Sequence, residues 1–223
     1  MLIKNWVNQV TLSDDGWTAL HLATKNSVQM FRYLIEELHA DPLVKNKNAV
    51  SVMHKAAFDN SNYAITYLRD KIGMKLDDFD CSGNTPLHFA CSQGAEYAAE
   101  WLVGFGHPIN SKNSRNETPL HLILKCPPNI ISSRFVKTMI FKGASRHEKD
   151  LDGNTPLDLA KKIDDPVLKK ELVEILGPQP MYLPCFHFKQ PMMKLEKSKT
   201  TLYFFLGLIV SSFILMQIAI LPF

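Results

Sequence analysis

The chain repeats itself, and that constrains its fold more than any other feature. One short pattern returns five times: "GWTALHLA" at 16–23, "AVSVMHKA" at 49–56, "GNTPLHFA" at 83–90, "NETPLHLI" at 116–123 and "GNTPLDLA" at 153–160. Its hydroxyl anchors are Thr18, Ser51, Thr85, Thr118 and Thr155, spaced 33, 34, 33 and 37 residues apart. A unit of this length is one supersecondary element. It cannot bury its apolar face alone, so copies must stack into a continuous core.

Each residue of the pattern has a physical task. The Thr or Ser hydroxyl suits a helix N-cap, where it accepts from an orphan backbone N–H. Pro86, Pro119 and Pro156 fall at the first helical position, where no N–H is needed. Gly16, Gly83 and Gly153 suit a tight turn with positive φ. A second apolar helix follows in each unit. Val28, Phe31, Leu34, Ile35 and Leu38 show its spacing in the first, and Ala95, Ala98, Ala99, Leu102 and Val103 in the third. Gly106 and Gly143 are expected to end two of these helices.

A Thr-Pro-Leu-His head at a period near 33 resembles the ankyrin repeat, over residues 14–176. The resemblance implies an all-α ankyrin-repeat solenoid of helix-turn-helix units with loop or hairpin tips. Residues 1–13 would be a partial leading repeat, and 14–177 about five repeats. It also implies that His21, His54, His88 and His121 tie adjacent turns together by hydrogen bonds. With Thr18, Thr85, Thr118 and Thr155 they would form the structural repeat motif.

The pattern departs from itself in three places. In the second unit Ala49 replaces the turn glycine and Val52 the proline, which predicts a slightly less stable unit. In the fifth, Asp158 stands where histidine stood, which suits a terminal cap. The fourth unit is four residues longer, in "KCPPNIISS" at 125–133, where Pro127-Pro128 is expected to force an extended bulge.

Catalytic and ligand-binding chemistry find no support in these residues. Cys81, His88 and Cys91 sit close together, but the cysteines do not recur in other units and the spacing matches no zinc signature. The histidine belongs to the repeat. No metal, cofactor or catalytic site is therefore expected. There is no phosphate-cradling glycine loop and no nucleophile elbow. Asp77-Asp78 and Asp164-Asp165 read as turns and helix caps. A net charge of +3 with dispersed basic residues argues against nucleic acid. The four cysteines, at 81, 91, 126 and 185, form no disulfide framework, so reduced thiols are expected.

The C-terminal part is of another kind. Residues 200–223 carry no charged side chain, and 202–221 are long enough to cross a hydrocarbon core of about 30 Å as one transmembrane helix. Residues 178–199 form a basic linker, with Lys189, Lys194, Lys197 and Lys199 ahead of the span and no Lys or Arg behind it. The positive-inside rule then places the repeats in the cytosol and the lipid bilayer among the partners. Cys185 is a candidate for acylation. The leading half-unit and the end at Phe223 are those expected of a chain cut from a longer protein, though a complete tail anchor ends the same way.

These features favour a membrane-tethered protein–protein interaction module, an adaptor or scaffold that binds a protein partner on a concave face. Candidate contact residues are the tips Asp15, Trp17, Asn48, Ser82, Asn84, Arg115, Asn116, Asp152 and Asn154. Trp17 leads them as a hot spot, unless its ring packs on the neighbouring turn. An alternative follows from the order of parts, which is similar to ankyrin-containing palmitoyltransferases of the Asp-His-His-Cys type. The chain would then be the substrate-recruiting half, with the catalytic domain downstream. A third reading is the cytosolic domain of a channel or transporter.

Overall fold

The computed structural model describes residues 7–11 and 15–178. The expected linker, Cys185 and the membrane span lie outside the described residues. Within them no helix is long and apolar enough to cross a membrane.

Among the described residues ten helices form five pairs: α1 Ala19–Asn26 with α2 Val28–Glu36, α3 Val52–Phe58 with α4 Asn62–Asp70, α5 Pro86–Ser92 with α6 Glu96–Gly104, α7 Pro119–Lys125 with α8 Ser133–Phe141, and α9 Pro156–Lys161 with α10 Pro166–Leu176. No strand occurs among the described residues. Helices of six to eleven residues are too short to persist alone in water. Packing holds them: first helices stack on first helices along the row, and α2 packs on α4, α4 on α6 and α8 on α10.

The repeat supplies that packing at fixed positions. Two residues after the hydroxyl anchor, Leu20, Met53, Leu87 and Leu120 are buried. Five residues after it come Ala23, Ala56, Ala90, Ile123 and Ala160, also buried. The small side chains let the second helix approach closely. That helix contributes Phe31 and Leu34, Ile65 and Leu68, Leu102, Phe135 and Met139, then Leu172 and Leu176 in turn. Fully burying each large side chain contributes about 1.5–3 kcal/mol. Val7 lies eleven residues before Thr18 and is buried, as Ala40, His107 and Ala144 are at the same offset from Ser51, Thr118 and Thr155.

A histidine ladder links the repeats. The Nδ1 of His21, His54, His88 and His121 lies 2.8–2.9 Å from the hydroxyl of Thr18, Ser51, Thr85 and Thr118. It also accepts from the backbone N–H of the same residue at 3.1–3.3 Å. The other ring nitrogen faces a carbonyl of the next repeat: Val50, Asn84, Glu117 and Asn154, at 3.0–3.2 Å. A carbonyl only accepts, so Nε2 carries the proton. The motif thus caps its own helix and bonds its neighbour with one side chain. Asp158 performs only the first half, accepting from the Thr155 hydroxyl at 2.7 Å and its N–H at 3.1 Å.

The turn two residues before each anchor is left-handed in all five units, with φ of 66°, 58°, 71°, 55° and 77° at Gly16, Ala49, Gly83, Asn116 and Gly153. Glycine takes this conformation freely and asparagine tolerates it. Ala49 does not, and costs its hairpin about 1 kcal/mol against glycine. The second unit is otherwise tightly packed, since Val52, Met53, Ala56 and Ala57 are fully buried. Its deficit is thus confined to one backbone angle.

The insertion after α7 differs from the expected extended bulge. Cys126 is extended, but the Pro127 carbonyl then accepts from the N–H of Ile130 at 2.9 Å and of Ile131 at 3.3 Å, closing a compact turn. Two prolines block a helix but leave a carbonyl free to close this turn. The turn packs back on the stack. Ile131 is buried, and Ile130 rests against Gly94 of the preceding pair so closely that a Cβ there would meet its Cγ2 at 2.6 Å.

Candidate protein-binding face

The hairpin tips are held by two sets of bonds. In the second to fifth tips an Asn or Asp five residues before the anchor hooks the backbone ahead of it. Asn46 Oδ1 accepts from the N–H of Asn48 and Val50, Asp80 Oδ1 from Ser82 and Asn84, and Asn113 Oδ1 from Arg115 and Glu117, all at 2.7–3.0 Å. Asp150 accepts from Asn154 at 2.8 Å. Successive tips are then joined through their backbones. The N–H of Lys47, Cys81, Ser114 and Leu151 donates to the carbonyl of Asp15, Asn48, Ser82 and Arg115, at 2.9–3.1 Å. The result is a row of side chains on ordered backbone, which limits the ordering entropy that binding must overcome.

The expected contact residues divide on this frame. Asp15, Asn48, Ser82, Arg115, Asn116 and Asp152 are exposed along the row. Asn84 and Asn154 are half-buried, and their side chains bond within the scaffold. The Asn84 amide donates to Asp80 and its Oδ1 accepts from Asn113, while Asn154 donates to Asp150 and accepts from Lys162 at 2.7 Å. Their position one residue before the anchor points them at their own hairpin.

Trp17 is half-buried. Its ring meets His21 edge-on at 5.4 Å, with the Lys55 ammonium 6.0 Å from its centre. From there an aromatic strip runs across three repeats. Lys55 Nζ lies 4.7 Å over Phe58, and Phe58 is 6.4 Å from Phe89, whose ring also meets His54 at 5.1 Å. Lys55 is fixed by Asp59 at 2.6 Å, and Asp59 by the Thr24 hydroxyl at 2.6 Å. Leu22 on α1 is 45% exposed. Leu22, Lys55, Phe58 and Phe89 were not among the sequence candidates. The signal for them is helical phase: positions two and five after the anchor face the core, so four and seven face outward together.

A second polar cluster lies at α7. Glu117, whose side chain is 1% exposed, accepts from Asn113 at 2.7 Å and pairs with Arg115 at 3.1 Å and Lys125 at 2.7 Å. Lys125 also reaches Asp150 of the next tip at 3.2 Å. Burial by itself would raise the Glu117 carboxyl, but Asn113 and Lys125 outweigh it and hold the group below the usual carboxylate range. This cluster fastens the fourth tip to the fifth through Lys125.

The cysteine and histidine cluster of the third unit is structural. Both ring nitrogens of His88 are engaged, so neither has a lone pair for a metal. Burial pushes the Cys91 thiol well up, and the Cys126 Sγ contacts the Ser92 carbonyl at 3.1 Å. No group of three potential metal ligands occurs among the described residues.

Comparison with known proteins agrees with this geometry. A family model described as an ankyrin repeat matches residues 15–47, and one of three ankyrin-repeat copies matches residues 37–113. These hairpins are ankyrin repeats. The caps and left-handed turns continue through the fourth and fifth units beyond the matched region, and His121 bridges the two. The chain is similar to the human transient receptor potential cation channel subfamily A member 1, 38% identical over 157 residues, covering 68% of this chain and 14% of that protein. It is 30% identical over 99 residues to ankyrin repeat domain-containing protein 53 of Macaca fascicularis, covering 43% of the chain and 20% of the relative. It is 24% identical over 147 residues to the human SH3 and multiple ankyrin repeat domains protein 2, covering 66% and 8%. The chain spans a fifth or less of the length of each of these relatives.

Proposed function

We propose that the ankyrin stack is a protein–protein interaction module whose docking face is the aromatic strip Trp17–Lys55–Phe58–Phe89 together with the exposed tips. The observation that carries the reading is that strip. It spans three repeats, it is fixed from behind by Asp59 and His54, and its rings stay partly open to solvent. Buried aromatic anchors beside charged rims supply most binding energy at protein interfaces. The partner that fits is a polypeptide segment with an apolar side chain for the strip and polar groups for the tips. Replacing Phe58 and Phe89 together by serine is expected to weaken capture of the partner at least about tenfold. Partner recovery is compared between the full-length variant and wild type by quantitative mass spectrometry, with thermal melting as the control for folding. Equal recovery of every bound protein by a folded variant would sink the assignment.

The reading extends to a membrane tether. The uncharged stretch at 200–223, preceded by Lys189, Lys194, Lys197 and Lys199, supports a span with the repeats in the cytosol. Recovery of the full-length chain in the aqueous fraction after lysis without detergent contradicts it. A second reading, the partner-binding part of a channel-like membrane protein, is favoured by the 157-residue match to a cation channel. The relatives named above include channel and scaffold proteins, so the palmitoyltransferase alternative is not carried forward.

A further inference from the structure

We infer that the opposite, second-helix face pairs two copies of this chain, through the groove between α8 and α10. The groove has a volume of about 580 Å³, and its apolar lining is Ile140, Ile175 and, at the rim, Phe141. Phe141 is 91% exposed at its edge. An aromatic side chain so open, beside a groove large enough to receive one, marks a contact surface rather than a finished exterior.

Charge selects the occupant. One wall is basic, with Lys137 on α8 and Arg146 just beyond it, and the other is acidic, with Glu171 and Glu174 on α10. Lys137, Arg146 and Glu171 form no ion pair among the described residues. Elsewhere the second-helix face uses its charges locally, as in Arg32–Glu36 at 3.0 Å. A surface with separated walls of opposite sign is complementary to itself under two-fold rotation. The basic wall of one copy meets the acidic wall of the other, and this happens twice.

Helical phase supports the arrangement. Lys137 and Phe141 lie four apart on α8, and Glu171 and Ile175 four apart on α10, so each helix offers a charge and an apolar side chain on one face. In the pair, α8 of one copy lies against α10 of the other. Each Phe141 enters the opposite groove, and Lys137 and Arg146 face Glu171. The strip around Phe58 stays open for a partner, so the two surfaces are separable by mutation.

The test is the oligomeric state of the full-length chain in mild detergent, by sedimentation velocity over a concentration series. A concentration-dependent dimer is expected. K137E and E171K should each weaken it about tenfold, because like charges then oppose across the interface. The double variant K137E/E171K should restore it, since residues 137 and 171 then carry opposite charges across the interface again. F141S should also weaken it, and the exposed ring makes its removal harmless to the fold. A wild type that stays monomeric at every concentration overturns the proposal and leaves the groove to a different protein. A dimer indifferent to K137E, or a loss that the double variant fails to rescue, overturns it as well.

Discussion

Truncating His88 to alanine is expected to destabilise the stack by about 3–5 kcal/mol, among the largest effects available to a single substitution here. The imidazole is fully buried at the centre of the ladder. Its loss orphans the Thr85 N–H, takes the acceptor from the Thr85 hydroxyl and the inter-repeat donor from the Glu117 carbonyl, and leaves a cavity between the third and fourth repeats. Each buried group without a partner costs about 1–3 kcal/mol. Domain stabilities run to about 5–15 kcal/mol, so one bridge is a large share of the total. Because coupling in a repeat stack is between nearest neighbours, the damage should split the melting transition. Asp158→Ala makes the contrast. That side chain bonds its own cap and pairs with Lys161 of its own helix but reaches no other repeat, so its loss should cost far less. Denaturant melts of the two variants check the pair. Equal costs would show that the bridge to the next repeat contributes nothing.

Acidification is expected to unfold the protein through the same residues. Burial lowers His21 from 6.5 to about 4, against the opposing bond to the Val50 carbonyl, with Lys55 and His54 adding to the fall. Burial likewise takes His107 to about 4, and it lowers His54, His88 and His121. Protonation is resisted structurally too, because the Nδ1 of each ladder histidine already accepts from a backbone N–H. With the folded values below 6.5, the unfolded chain takes up protons first. Stability is therefore full above pH 6.5 and falls between 6.5 and about 4. His21 and His107 each contribute about 3 kcal/mol to that loss. Below it, protonating Glu117 and Asp150, whose carboxyls are held low by their partners, removes more.

His107 identifies itself within this window. Its Nε2 is buried and finds no hydrogen-bond partner among the described residues, and alanine occupies the same position at Ala40 and Ala144. H107A should flatten the dependence of melting temperature on pH while leaving the ladder intact. A melting temperature constant from pH 6.5 down to 4.5 would refute the whole account.

Much of this molecule is legible in its sequence because the repeat states each rule three to five times. The anchors at Thr18, Ser51, Thr85, Thr118 and Thr155 mark helix starts to the residue, since a hydroxyl cap and a following proline act locally. Gly16, Gly83 and Gly153 mark left-handed turns for an equally local reason. The hooks at Asn46, Asp80, Asn113 and Asp150 were equally regular, but a polar residue in a turn has many uses, and only the bonds choose among them.

What the chain alone determined is its periodicity, its caps and its apolar phase, because these act within a few residues of their cause. Only the tertiary structure decided which polar side chains remain available. Asn84 is held by its own hairpin and the next, and Asn154 by Asp150 and Lys162 of its own repeat, whereas Phe58 and Phe89 are brought into one strip from different repeats. The groove that sets Lys137 apart from Glu171 likewise exists only once α8 and α10 have packed. Contacts between residues some 30 positions apart depend on how one repeat is rotated against the next. That rotation is the sum of many small packing preferences, and no single stretch of sequence contains it.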